Sequence, residues 1–105
     1  MEPKGIKNIY LIAICGTGMA ALAGLLKKAG YSVTGSDTNI YPPMSILLND
    51  AGIEISPGYK KENIFKDIDL VIVGNAVSKT NEEVQAVIEA GIPIPHSRQL
   101  FPNFF

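Results

Sequence analysis

The chain has 105 residues, a formal net charge of −1 and 47% hydrophobic residues. These values are typical of one α/β domain, so we expect residues 1–105 to form a single domain. A near-neutral charge without a basic cluster argues against a nucleic acid or an anionic membrane surface as partner. The single cysteine, Cys15, excludes an internal disulfide and favours a cytoplasmic location.

Strands and helices alternate along the predicted chain. The apolar run 8–14 lacks alternation, as expected for a central strand buried on both faces. The next segment, 18–29, has leucines and alanine at helical spacing, which predicts a helix that buries Leu22, Leu25, Leu26 and Ala29. Further strands are predicted at 31–37, 53–55, 70–73 and 92–95, with helices at 44–51 and from Thr80 or Asn81 to Ala90.

This order predicts a Rossmann-like α/β fold. We expect an open parallel five-stranded sheet of order 3-2-1-4-5, with helices on both faces. Ligands of such sheets bind at the carboxyl ends of the strands, here between strands 1 and 4. The loops expected to meet there are 15–19, 37–43, 56–59, 74–80 and 95–98.

A glycine-rich loop follows the first strand directly. Gly16, Gly18 and Ala21 fit the G-x-G-x-x-G/A pattern, in which the first glycine allows a tight turn and the second lets the backbone approach a diphosphate. The alanine lets the helix lie close to the strand. The helix N-terminus, with its free N–H groups and positive dipole end, then faces the anion.

Polar residues after later strands complete the candidate site. Asp37 ends the second strand 21 residues after Gly16, where an acid typically accepts hydrogen bonds from ribose hydroxyls. Asn75 and Ser78 lie too early to cap the following helix, which favours base or ribose contacts. His96, the single histidine, follows the fifth predicted strand and is either a ligand contact or a partly buried polar side chain.

The loop alone does not distinguish a dinucleotide from a nucleotide diphosphate-sugar. The only arginine is Arg98, so none lies near Asp37 to receive a 2′-phosphate, which disfavours NADP. The chain also has no second βαβαβ half to hold a nicotinamide ring. A regulatory NAD-binding domain remains the alternative to a nucleotide-sugar site, and an interaction domain that binds no nucleotide is the third hypothesis.

The whole chain resembles the N-terminal, UDP-binding domain of the Mur ligases, the ATP-dependent enzymes that build murein peptides. The resemblance is carried by Ile14-Cys15-Gly16-Thr17-Gly18-Met19, Val33-Thr34-Gly35-Ser36-Asp37, Gly52-Ile53 before Gly58-Tyr59, and Gly74-Asn75-Ala76-Val77-Ser78. Within the family, Tyr41-Pro42-Pro43-Met44-Ser45 is similar to the branch that recycles the murein tripeptide.

The resemblance implies a UDP-N-acetylmuramate-type substrate. Its diphosphate would be held by backbone N–H groups of the loop, with the site covering Gly16, Thr17, Gly18, Met19 and Ala20. Asp37 would contact the uridine ribose or the base, and Asn75, Ala76 and Ser78 would line the uridine side. His96 matches a position where the family approaches the nucleotide, although relatives often carry other residues there.

The chain lacks a G-x-x-x-x-G-K-[ST] phosphate-binding loop and a cluster of acids and histidines for Mg²⁺. We therefore expect no cofactor, metal site or catalytic residue here, and an inactive isolated chain. The resemblance implies that ATP and Mg²⁺ act in the full-length ligase. Three phenylalanines lie within residues 101–105, and we expect this cluster to pack on the ATP-binding domain.

Overall fold

The computed structural model describes residues 6–94. Its four strands are β1 (Asn8–Ile12), β2 (Ser32–Asp37), β3 (Glu54–Pro57) and β4 (Leu70–Val73). Its helices are α1 (Thr17–Lys28), α2 (Met44–Asp50) and α3 (Glu82–Ala90), with one 3-10 turn at Lys61–Asn63. None of the helices in this part of the chain is long and apolar enough to cross a membrane.

All strand pairs are parallel, and the sheet order is β3-β2-β1-β4. Strand β1 lies in the interior, with Leu11 opposite Gly35 of β2 and Ile72 of β4. Since β2 and β4 flank β1 on opposite sides, the loops after these three strands converge at one edge of the sheet. The predicted parallel Rossmann-like architecture is confirmed.

Helices cover both faces of the sheet, as predicted. Side chains alternate along β1, so Ile9 and Leu11 pack on one face and Tyr10 and Ile12 on the other. The first face is covered by α1 and α2 through Leu22, Ala23, Leu26 and Leu48. The second face is covered by α3 through Val84 and Val87.

The fifth strand predicted at 92–95 is not among the strands of the described residues. Residues 92–94 have no strand assignment, although Val71 N donates a hydrogen bond to Pro93 O at 3.0 Å. Proline has no N–H to donate, so Pro93 cannot continue a regular ladder. Pro95 lies outside the described residues.

Helix α1 begins near the predicted position, but its buried face differs from the prediction. Leu22 and Leu26 are buried, whereas Leu25 is 47% exposed and Ala29 is also exposed. Ala21, expected to allow close packing on the strand, is exposed, and Ala20 and Ala23 are the buried small residues instead. The spacing of the G-x-G-x-x-G/A pattern therefore selects the wrong small residue for the contact between α1 and the strand.

The close approach of strands requires a glycine at position 35. A Cβ atom built on Gly35 would lie 2.5 Å from Leu11 O and 2.8 Å from Ile14 Cδ1. No side chain fits this space without a shift of the β1 backbone. Gly35 therefore fixes the spacing between β2 and the turn that leads into α1.

Candidate functional site

A cleft of about 760 Å³ lies at the carboxyl edge of the sheet. The segments after all four strands contribute to it, which confirms the predicted convergence of four of the five loops. The fifth, 95–98, lies outside the described residues. The lining residues are Ala13, Cys15, Gly16, Thr17, Asp37, Asn39, Tyr41, Pro43, Met44, Tyr59, Ala76, Val77, Ser78, Thr80 and Asn81.

The N-terminus of α1 is left without a side-chain cap. Gly16 is the N-cap residue, and the first helical hydrogen bond runs from Ala20 N to Gly16 O at 2.7 Å. The N–H groups of Thr17, Gly18 and Met19 have no hydrogen-bond partner within residues 6–94. Three free donors and the positive end of the helix dipole can together bind an anion.

The backbone before α1 turns at Ala13 rather than at Gly16. Ala13 has a φ of 70°, in the left-handed region, whereas Gly16 has a φ of −62° that any residue can adopt. A Cβ atom on Gly16 would lie 3.5 Å from Ala13 O, an ordinary contact. The expectation that Gly16 is needed for a tight turn is therefore wrong.

Gly18 has open space beside it. Apart from its two chain neighbours and the backbone of α1, no atom of residues 6–94 would lie within 4 Å of a Cβ atom built there. The fold itself therefore does not require glycine at this position. A residue without a side chain leaves the neighbouring N–H groups accessible to a ligand.

Asp37 lies in the cleft wall and is 5% exposed. Its Oδ2 accepts the N–H of Cys15 at 2.9 Å, and its Oδ1 accepts the N–H of Asn39 at 2.9 Å. A carboxylate has about four acceptor positions, so two backbone donors do not exhaust it. The side chain can hold the loop in place and still accept a hydroxyl from a ligand.

Cys15 is half-buried beside this carboxylate. Burial raises the pKa of the thiol, and the negative charge of Asp37 raises the pKa further. Because only the thiolate is a strong nucleophile, this environment favours the unreactive thiol. Packing at the strand end, rather than covalent chemistry, accounts for the residue.

Tyr59 follows β3 and forms part of the opposite wall. Burial raises the pKa of its phenol, and the negative charges of Asp37 and Glu83 raise it further, while a hydrogen bond with the Thr38 side chain lowers it. The phenol therefore stays protonated at neutral pH and keeps its O–H donor. An aromatic ring with one polar end is well suited to a cleft wall that is partly apolar and partly exposed to solvent.

The loop after β4 forms the third wall. Asn81 caps α3 by accepting the N–H groups of Glu83 at 2.8 Å and Val84 at 3.3 Å, so one of the two predicted caps is confirmed. Ser78 Oγ lies 2.8 Å from Thr80 Oγ1 and accepts Thr80 N at 3.2 Å. These hydrogen bonds order a loop that offers hydroxyl and amide groups to the cleft.

Half of the predicted site residues lie together in the cleft wall: Gly16, Thr17, Asp37, Ala76 and Ser78. Gly18, Met19, Ala20 and Asn75 do not line it, although Gly18 and Met19 contribute free N–H groups at its edge. His96 lies outside the described residues.

Several lining residues were not predicted as site residues. Tyr59 and Met44 belong to motifs that carry the family resemblance but were not assigned a contact, whereas Asn39 belongs to no motif. Their places after strand ends are the signal that indicates the cleft. Within residues 6–94, no group of three or more His, Cys, Asp or Glu side chains is arranged to hold a metal ion.

An open parallel sheet with an uncapped helix N-terminus and a cleft at the strand ends defines a Rossmann-like domain. The family model described as "Mur ligase family, catalytic domain" matches residues 8–104. The chain therefore belongs to the Mur ligase family, as its sequence motifs indicate.

Relatives with related names match most of the chain. The UDP-N-acetylmuramate–L-alanyl-gamma-D-glutamyl-meso-2,6-diaminoheptandioate ligase of Escherichia coli is 46% identical over 92% of the chain and 21% of its own length. The ligase of the same name from Haemophilus influenzae is 49% identical over 80% of the chain and 18% of its own length. A UDP-N-acetylmuramate–L-alanine ligase of Psychrobacter sp. is 37% identical over 89% of the chain and 19% of its own length. The chain thus spans about a fifth of these relatives.

A solved structure agrees with this assignment. The murein peptide ligase of Psychrobacter arcticus superposes with a TM-score of 0.85 and 38% identity, covering 92% of this chain and 20% of that one. The higher identity to the tripeptide ligases than to the alanine ligase supports the branch predicted from the sequence.

Proposed function

We propose that this domain anchors the UDP end of a UDP-N-acetylmuramate-type substrate for an ATP-dependent murein peptide ligase. The observation that carries the proposal is the uncapped start of α1, where three N–H groups and the open space beside Gly18 border a cleft. A diphosphate supplies the negative charge and the acceptor oxygens that such a helix end binds.

The uridine is proposed to lie toward the loops after β2 and β4. Asp37 retains acceptor positions for a ribose hydroxyl, and Ala76 and Ser78 line the same cleft. Asn75, on the loop after β4, is also proposed to contact the nucleotide. The same role is proposed for His96, which lies outside the described residues.

Anchoring contributes to catalysis by orientation. Binding energy gained at the UDP end, far from the reacting carboxylate, holds the muramoyl group in place for attack. We propose that ATP and Mg²⁺ act in the remainder of the ligase, where ATP would phosphorylate the muramoyl carboxylate. The phenylalanine cluster at 101–105 is proposed to pack against that ATP-binding part.

A titration followed by NMR tests the proposal. Adding UDP to the ¹⁵N-labelled chain should shift the amides of Gly16 to Ala20 and of Asn75 to Ser78. Parallel titrations with NADH and ATP serve as controls, because both carry phosphates but differ in the remainder of the ligand. Larger shifts with NADH than with UDP would favour the regulatory NAD-binding alternative and contradict the proposal.

A further inference from the structure

A buried carboxylate lies on the α3 side of the sheet, in the first turn of that helix. Glu83 is 0% exposed, and Tyr10 Oη donates to its Oε2 at 2.9 Å. Ser36 Oγ donates to its Oε1. Asn63 Nδ2 and Lys60 N donate to Oε2 at 2.7 Å and 3.2 Å. One side chain thus joins β1, β2 and the segment after β3 to α3.

Two of these donors belong to the segment that carries Tyr59 into the cleft wall. Lys60, the next residue, is held by its N–H bond to Glu83. Gly58, the preceding residue, is held on both sides: its N–H donates to Asp37 O at 2.9 Å, and its O accepts Asn63 Nδ2 at 3.2 Å. The backbone on either side of Tyr59 is therefore fixed by Glu83 and Asn63.

The amide of Asn63 links these bonds. Its Nδ2 group has two hydrogens, which serve Gly58 O and Glu83 Oε2. Orienting this amide requires an acceptor that is itself immobile, and a fully buried carboxylate anchored by Tyr10 and Ser36 meets that requirement.

We propose that Glu83 is a positioning residue for the nucleotide cleft: through Asn63 and the backbone of Gly58 and Lys60, it holds Tyr59 against the bound ligand. The inference rests on the proposed UDP site and adds Tyr59 to the residues that contact the nucleotide. A side chain fixed before binding loses less conformational entropy when the ligand arrives, so its contact contributes more to affinity.

Asn63→Ala is the main test, because Asn63 is only partly buried and its loss leaves the bonds from Tyr10 and Ser36 to Glu83 in place. Calorimetric titration of the chain with UDP should give a Kd raised about fivefold, as expected for the loss of an ordered polar contact. Tyr59→Ala should raise the Kd by a similar factor. Adding Asn63→Ala to Tyr59→Ala should cause no further loss, because the two residues act through one contact.

Three variants at the start of α3 complete the test. Glu83→Ala removes the acceptor of Lys60 N and Asn63 Nδ2, so its Kd should rise at least as far as that of Asn63→Ala. Glu83→Gln keeps an acceptor for both groups, since its amide nitrogen can donate to Ser36 Oγ, and should restore most of the affinity that Glu83→Ala loses. Glu82→Gln is the matched control: Glu82 is exposed, and its carboxylate accepts Lys61 N at 2.7 Å without touching the neighbours of Tyr59. Its UDP affinity should be unchanged.

The outcomes separate this inference from the function on which it rests. If the unmodified chain fails to bind UDP, the proposed function and this inference both fail. If it binds UDP but Asn63→Ala binds equally well, or weakens binding just as much in the Tyr59→Ala background, the positioning role alone is overturned. Thermal unfolding of each variant identifies a loss of affinity that comes only from unfolding.

Discussion

Asp37 and Cys15 are joined by a hydrogen bond from the cysteine N–H to the carboxylate Oδ2, 2.9 Å long. The bond ties the end of β2 to the loop before α1. The free N–H groups in the first turn of that helix border the cleft. The residue that the sequence pattern selects as a ribose partner therefore also shapes the loop proposed to bind phosphate. Changes at Asp37 should affect both parts of the site.

Gly18→Val should abolish UDP binding while leaving the fold intact. Apart from its chain neighbours and the α1 backbone, no atom of residues 6–94 lies within 4 Å of a Cβ at this position, and valine has no lower helix propensity than glycine. The branched side chain would occupy the space through which a diphosphate reaches the N–H groups. We expect an unchanged melting temperature and no UDP binding detectable by calorimetry.

Gly35→Ala provides the opposite control. Its Cβ would lie 2.5 Å from Leu11 O, so this smaller change should destabilise the fold by about 1–3 kcal/mol. Chemical denaturation measures the loss. Wild-type UDP affinity in Gly18→Val, or wild-type stability in Gly35→Ala, would contradict the roles assigned to these two glycines.

Asp37→Asn should reduce both stability and UDP affinity. The amide keeps one acceptor oxygen, so either Cys15 N or Asn39 N loses its partner at a site that is 5% exposed. We expect a loss of about 1–2 kcal/mol in each quantity. Urea denaturation and UDP titration measure them, and NMR shifts of the two amides identify which bond is lost. Unchanged values of both would contradict the assignment.

The architecture could be predicted because its determinants are local. The continuous apolar run of β1, the helical spacing of Leu22 and Leu26, and the cap at Asn81 each specify an element within a few residues. Parallel strands joined by helices then leave few topologies, and all of them gather the loops at one edge. The cleft's place in the fold could therefore be predicted from the sequence.

The remaining features depend on contacts between distant residues. Glu83 lies in the first turn of α3, where the helix dipole alone favours an acid, yet it is fully buried because Tyr10 and Ser36, far away in the sequence, meet it there. Likewise, the pattern around α1 did not reveal that Ala21 would face solvent. Periodicity identifies an apolar stripe, but it does not show which polar side chains have partners across the sheet.

Asp69 should contribute stability that depends on acid pH. Its carboxylate accepts the N–H groups of Asn8 and Lys7 at 2.9 Å and 2.8 Å, and these bonds lower its pKa in the folded state. A lowered folded pKa means that the contribution is present above the unfolded pKa of about 3.9 and is lost as pH falls through the folded pKa. Asp69→Asn should flatten the fall in melting temperature across that acid range. An unchanged acid profile would show that these bonds do not contribute.

Cys15 should react slowly with alkylating reagents, and more slowly when UDP is bound. Burial and the charge of Asp37 raise the thiol pKa, so the thiolate fraction at pH 7–8 is below that of a free cysteine, whose pKa is about 8.5. The rate of iodoacetamide labelling should keep rising through and above that pH. Because Cys15 is the only cysteine, mass spectrometry of the intact chain measures its labelling directly.

The raised pKa of Cys15 also makes the stability of the folded chain depend on alkaline pH. A raised folded pKa means that the contribution is fully present below the unfolded pKa and is lost as pH rises through the folded pKa.

Asp37→Asn should speed the labelling of Cys15 at pH 8 by removing the neighbouring charge, whereas Asp69→Asn, distant in sequence and outside the cleft wall, should not. Since Cys15 lines the cleft, saturating UDP should slow labelling of the unmodified chain. A rate that levels off below pH 8, or one that UDP leaves unchanged, would contradict the environment assigned to this thiol.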